Sequence, residues 1–152
     1  MNEDSYVANA EWYAALVAGQ SGLARDAVRT LLGTVRGGDV VDLGSGIGSG
    51  LGVLRDLGAD RVFAVEPSRA MRAGLMTTIT ADPDLMDRTT VIPRSMPDAF
   101  AELPRRWSGA TMLNVIGHLD DEARRALWLT LRERLLPGAT LVLSLQPPRA
   151  CC

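Results

Sequence analysis

Five short apolar runs punctuate the chain after residue 38: Val40 to Leu43, Val62 to Val65, Thr90 to Ile92, Ala110 to Val115 and Leu141 to Leu145. Each is too short for a helix, and each is separated from the next by a helical stretch or a turn. That alternation is the signature of a parallel sheet buried on both faces. Helices are expected at about Ser49 to Leu57, Ser68 to Ile79 and Asp120 to Leu136, with a short one near Pro97 to Leu103. In the longest, Asp120 and Asp121 suit the positive end of the helix dipole, Leu127, Leu131 and Leu135 form one stripe, and Pro137-Gly138 stops it. Upstream, Trp12, Ala15 and Leu16, then Leu23, Ala27, Leu31 and Leu32, recur at helical spacing, with Ser21 placed to cap the second of two N-terminal helices.

The expected fold is therefore α/β, a three-layer sandwich with a mainly parallel sheet of five strands. Right-handed crossovers give the order 3-2-1-4-5, with the switch point between strands 1 and 4 and any ligand outside the carboxyl ends of the strands. No repeat or linker divides the chain, so residues 1–152 read as one domain: N-terminal helices over 1–37, a core over 38–145 and a disordered tail over 146–152. That tail is too short for strands 6 and 7, which are expected to be absent.

Residue usage narrows the chemistry. Every one of the 16 basic residues is Arg, so Schiff-base catalysis and a phosphate-loop lysine are excluded. The only histidine is His118, and the only cysteines are Cys151 and Cys152, so no metal site of several His and Cys ligands can be assembled. A net charge of −2 leaves no basic surface for nucleic acid. The segment Met1 to Tyr6 is acidic and polar, and no apolar run approaches the ~20 residues of a membrane span, so a cytoplasmic protein without membrane contact is expected.

The most informative stretch is Asp42-Leu43-Gly44-Ser45-Gly46-Ile47-Gly48-Ser49-Gly50, between strand 1 and the next helix. Glycines permit positive φ and a close approach of backbone to ligand, and free N–H groups at a helix start favour an anion. The dinucleotide fingerprint G-x-G-x-x-G fails here: from Gly44 its last position is Ser49, and from Gly46 it is Leu51. A nicotinamide-dependent oxidoreductase is set aside on that ground. Glu66, at the end of strand 2, can accept two hydrogen bonds from the vicinal hydroxyls of a ribose.

Taken together, Asp42-Leu43-Gly44-Ser45-Gly46-Ile47-Gly48, Ala64-Val65-Glu66-Pro67-Ser68 and Leu135-Leu136-Pro137-Gly138 resemble the class I S-adenosylmethionine-dependent methyltransferases, over about Asp39 to Leu145. The resemblance implies a Rossmann-like fold and S-adenosylmethionine as cofactor. It places the methionine end of the cofactor on Gly44, Ser45, Gly46 and Gly48 and the ribose on Glu66, with Pro67 and Met71 beside them. Asp42 would orient the loop or bond near the amino group, or stand as a plain strand-end carboxylate. Ser95 occupies the position after strand 3 where the family commonly has an acid on the adenine amino group. Met96 would press on the adenine face or belong to the core. Ser108 stands where many members have an acid opening strand 4.

Asn114, Gly117 and His118 follow strand 4 on the side where an acceptor would meet the methyl group, and Asn114 is assigned to the cofactor. The family's sulfonium is already activated, so the protein mainly holds a nucleophile in line and excludes water. His118 is the candidate base, since imidazole ordinarily titrates near neutrality, or it organises the turn before the following helix. Tyr6, Trp12 and Tyr13 would form a lid or anchor their helix, and Arg124, Arg125, Arg132 and Arg134 read as a solvated face. The expected activity is methyl transfer to a small-molecule acceptor. The alternative is a shortened, catalytically weak relative acting through another chain, with Leu141, Val142, Leu143 and Leu145 on an exposed strand edge open to homodimer pairing.

Overall fold

The computed structural model describes residues 22–145. The first expected helix with its aromatic residues, the Ser21 cap and the tail with both cysteines lie outside them. A helix over 22–32 (α1) leads into β1 (Asp39–Leu43), α2 (Leu51–Asp56), β2 (Arg61–Val65), α3 (Arg69–Thr80), α4 (Pro83–Arg88) and β3 (Thr89–Ile92). β4 (Trp107–Leu113), α5 (Asp121–Arg134) and β5 (Leu135–Ser144) complete the order, with 3₁₀ turns at Asp98–Ala101 and Ile116–His118.

The five strands form one sheet in the order β3-β2-β1-β4-β5, and every pairing is parallel. Successive residues of β1 face opposite layers, so Val40 joins the core with Leu54, Val62, Leu75 and Ile79, while Val41 joins Phe63, Trp107, Met112, Leu127 and Leu131. Two apolar layers hence require strands apolar on both sides, which is why these runs do not alternate. Asp42 pairs in register with Thr111, and the two side chains share a face. α3 buries Met71, Leu75 and Ile79, and α5 buries Ala123, Leu127 and Leu131, each at a spacing of one helical turn.

Several details depart from the expectations. α1 buries Val28 and Leu32, whereas Leu23 and Leu31 are 83% and 63% exposed: of two overlapping stripes, the other faces the sheet. α4 was not expected. Its start is nevertheless written in the sequence, because Asp82 Oδ1 accepts from the N–H groups of Asp84 and Leu85 and Pro83 fills the first helical position. α5 ends at Arg134, not Leu136, because a residue before proline is driven out of the helical region. Leu135 therefore opens β5 opposite Trp107, and Pro137-Gly138 lies in an irregular stretch where the register passes from Trp107↔Leu135 to Gly109↔Thr140.

Arg134 is not on a solvated face. Its guanidinium donates to the carbonyls of Phe100, Leu103 and Pro104 and lies 6.0 Å from the centroid of the Trp107 ring. Arg124 likewise reaches the carbonyl of Ile116. Along β5, Val142 is buried and Leu141 and Leu143 pack partly on the core, so of the four expected edge residues Leu145 is the one left largely in solvent, 69% exposed. Among the described residues no helix is long and apolar enough to cross a membrane, and no three His, Cys, Asp or Glu side chains are grouped to hold a metal.

Candidate active site

The loop after β1 turns back through three glycines at positive φ, Gly44 at 81°, Gly46 at 55° and Gly48 at 82°, a region where a Cβ is penalised. Its first two N–H groups, of Gly44 and Ser45, both donate to the carbonyl of Val65 at 2.9 Å, so the loop is tied to the end of β2. Thr78 on α3 holds its far side by donating to the carbonyl of Ile47 at 2.7 Å. Packing fixes the outer two glycines as well. A Cβ on Gly44 would stand 2.2 Å from Val115 Cγ2, and one on Gly48 would stand 2.8 Å from Leu75 Cδ1. At Gly46 a Cβ would meet nothing within 4 Å, so the loop is open there.

Glu66 follows directly on β2 and is buried. One carboxylate oxygen, Oε2, accepts from the Gly46 N–H at 2.8 Å, and the other, Oε1, accepts from the Ser68 N–H at 2.8 Å. Ser68 in turn caps α3, its Oγ accepting from Met71 N at 3.3 Å, and Arg72 donates to the carbonyls of Glu66 and Pro67. One acid thus joins the glycine loop to the start of α3. A carboxylate oxygen has room for two donors, so each keeps a free acceptor site. Burial pushes the Glu66 carboxyl above its ordinary range, opposed by the two backbone N–H groups, and the nearby Asp42 pushes it further the same way.

Asp42 lies behind the loop. Its Oδ1 accepts from Thr111 Oγ1 at 2.7 Å, and burial raises its carboxyl against that bond. Ser45 is buried too, its hydroxyl turned back to the carbonyl of Asp42 at 3.0 Å. These are supports of the loop from beneath.

In front of the loop is a cleft of about 170 Å³ at the carboxyl ends of the strands. Gly44, Gly46, Glu66, Pro67, Met71, Ser95, Met96, Asn114 and His118 all line it; Asp42, Ser45 and Gly48 do not. Met71 is buried and Met96 half-buried against the second core layer, so both are partly core residues. The sequence reading passed over Val65, Leu113, Val115, Leu119, Asp120 and Ala123, which complete the wall. Their signal was positional: Val65 and Leu113 end β2 and β4, Val115 and Leu119 flank the 3₁₀ turn that follows, and Asp120 and Ala123 open α5.

Asn114 adopts φ 59°, the left-handed region that Asn tolerates better than most residues. Ser144, at the end of β5, meets it twice: Ser144 Oγ accepts from the Asn114 N–H at 2.9 Å and donates to Asn114 Oδ1 at 2.9 Å. The His118 N–H donates to the Val115 carbonyl at 2.8 Å within the 3₁₀ turn, and its imidazole is exposed without a hydrogen-bond partner among the described residues.

A parallel sheet with a triple-glycine turn on its first strand and a held acid on the tip of the second defines a Rossmann-like ligand-binding domain. Residues 17–150 match the model of the methyltransferase domain family, and the chain belongs to that family. Among solved structures it is similar to the glycopeptide N-methyltransferase MtfA complexed with sinefungin, at 27% identity and a TM-score of 0.65 over 85% of this chain and 51% of that one. The DhpI–SAH complex gives 27% identity and a TM-score of 0.64 over 95% and 68% of the two chains. The C-terminal domain of precorrin-6Y C5,15-methyltransferase from Rhodobacter capsulatus gives 26% identity and a TM-score of 0.63 over 79% and 60%. The chain spans about half the length of the MtfA structures it matches. No curated protein matches it.

Proposed function

We propose that this chain binds S-adenosylmethionine in the cleft and transfers its methyl group to a small-molecule acceptor. The observation that carries the reading is Glu66: two backbone N–H groups hold its carboxylate in the cleft wall with acceptor capacity to spare, which suits the paired hydroxyls of a ribose. Gly46, with open space in place of a side chain, suits the close approach of a ligand. MtfA has been solved with S-adenosylmethionine, S-adenosylhomocysteine and sinefungin, which supports the same class of ligand here.

When bound, the cofactor supplies a methyl group already activated on a sulfonium. The residues of this chain bind and orient. Glu66 takes the sugar, Gly44 and Gly46 present main chain, and Met71 and Met96 offer apolar surface beside it. Asn114, on the rim towards β5, contacts the cofactor from the side on which the acceptor approaches, and the exposed imidazole of His118 beside it is the group that takes a proton from acceptors needing it. Calorimetric titration with S-adenosylhomocysteine tests the binding; absence of heat at millimolar ligand rejects it. Methyl transfer is tested separately, by release of S-adenosylhomocysteine against a panel of small hydroxyl, amine and carboxylate compounds. Binding without release from any of them would leave a cofactor-binding domain without catalysis.

A further inference from the structure

α3 carries a glycine, Gly74, in its interior, where an alanine would make a more stable helix. The space it leaves is taken by the loop after β1. A Cβ at position 74 would stand 2.8 Å from Ile47 Cγ2 and 3.2 Å from Ile47 Cβ, so the isoleucine between Gly46 and Gly48 sits directly on the helix backbone. One turn further along α3, Thr78 Oγ1 donates to the Ile47 carbonyl at 2.7 Å. Two residues on one face of the helix thus hold both the side chain and the main chain of residue 47.

The same helix is tied to the acid of the site. Its cap, Ser68, donates its N–H to Glu66 Oε1, while Glu66 Oε2 accepts from the N–H of Gly46, the neighbour of Ile47. Loop, acid and helix therefore close into a ring of contacts. Gly46 has no side chain to anchor it, and a Cβ there would meet nothing within 4 Å. Its N–H is placed 2.8 Å from Glu66 by the residues on either side, Ser45 bonded to Val65 and Ile47 seated on α3.

We infer that Gly74 and Thr78 are positioning residues of the cofactor site: by seating Ile47 they fix the Gly46 N–H against Glu66, and with it the carboxylate assigned to the ribose. The consequence for ligand affinity rests on the proposed function. The hold of α3 on the Gly46–Glu66 bond stands on the contacts themselves.

The test uses the whole ¹⁵N-labelled chain and two readouts, hydrogen exchange of the Gly46 amide and calorimetric affinity for S-adenosylhomocysteine, with the Val41 amide of β1 as the internal reference for the core. Thr78→Val keeps the shape and removes the donor. It is expected to speed exchange at Gly46 about tenfold relative to Val41 and to weaken the ligand about tenfold, the effect of one lost hydrogen bond. Thr78→Ser, which keeps the hydroxyl, should restore both. Gly74→Ala, favourable for the helix by itself, should displace Ile47 and change both readouts in the same direction as Thr78→Val. A merely structural role would speed Gly46 and Val41 alike. That result, a Gly46 amide unchanged in Thr78→Val or in Gly74→Ala, or a Thr78→Ser chain as impaired as Thr78→Val overturns the inference. If the parent chain fails to bind S-adenosylhomocysteine, the failure falls on the proposed function, and the Gly46 amide still decides the role of α3.

Discussion

Replacing Glu66 with Gln preserves the size of the side chain and removes its charge and one of two acceptor oxygens. Each oxygen now takes one backbone N–H, from Gly46 and from Ser68, both at 2.8 Å. An amide has a single oxygen, so one of those N–H groups would face an NH₂ group, and an unpaired buried donor costs about 1–3 kcal/mol. The substitution also relieves the burial of a charged carboxylate, the main cause of its raised pKa. The net loss of stability should therefore lie near the low end, about 1 kcal/mol. Affinity should suffer more. A hydrogen bond to an ionised oxygen contributes about 1.5–3 kcal/mol, and losing one of two implies S-adenosylhomocysteine binding weaker by about 2 kcal/mol, or roughly 30-fold. Calorimetric titration gives the affinity, and thermal unfolding of the same samples gives the stability. Equal affinity in the two proteins would refute the role of Glu66 at the ribose, whatever happened to the melting temperature.

Three further outcomes follow from other parts of the structure. Asp42 and Glu66 both have carboxyls raised by burial, so the folded chain binds more protons than the unfolded one between the ordinary carboxyl range and the raised values. Their contribution makes stability fall as pH rises through that window. Asp42→Asn, which keeps an acceptor for Thr111, should gain stability relative to the parent as pH rises there, and a difference of opposite sign in urea unfolding would contradict this. Gly44→Ala forces a Cβ into φ 81° and to within 2.2 Å of Val115 Cγ2, and should lose about 2–4 kcal/mol in denaturant unfolding. Adding Val115→Ala should recover the part due to the clash and leave the part due to φ; no recovery would show that the clash contributes nothing. Arg134→Met removes donors to three carbonyls and should cost about 1.5–3 kcal/mol by the same measurement, whereas a solvated arginine would change it by less than about 0.5.

The sheet was legible because its strands are buried on both faces: runs such as Val62 to Val65 leave no polar face to confuse with a helix. α4 was not, since Leu85 is its one buried residue and no stripe marks it. In α1, Leu23-Ala27-Leu31 and Val28-Leu32 interleave on one helix, and periodicity alone does not say which side meets the sheet. The end of α5 turned on the residue before Pro137, a local steric rule that outweighed the stripe running on to Leu135. At the site, Gly44, Gly46 and Glu66 could be found because the glycines need unusual φ and the acid ends a strand. Ser144 could not. It matters through a hydrogen bond to Asn114, 30 residues earlier, and nothing in Thr140-Leu141-Val142-Leu143-Ser144 distinguishes that hydroxyl from a solvated one. Arg134 was hidden for the same reason, its partners being main-chain carbonyls that carry no sequence signature.

Among the described residues β1 is the first strand, and it is the middle strand of the sheet. One of its flanks is satisfied by β2 soon after, but the other stays bare until β4, whose Thr111 lies 69 residues beyond Asp42. On a ribosome, a half-built sheet of β3, β2 and β1 would emerge with β1 at the rim, its outer edge unpaired and open to whatever extended chain comes near. Collapse onto the finished sheet must await that distant segment, so assembly of this small domain should be slow for its size and prone to clumping at high expression, with a holding chaperone as the natural remedy.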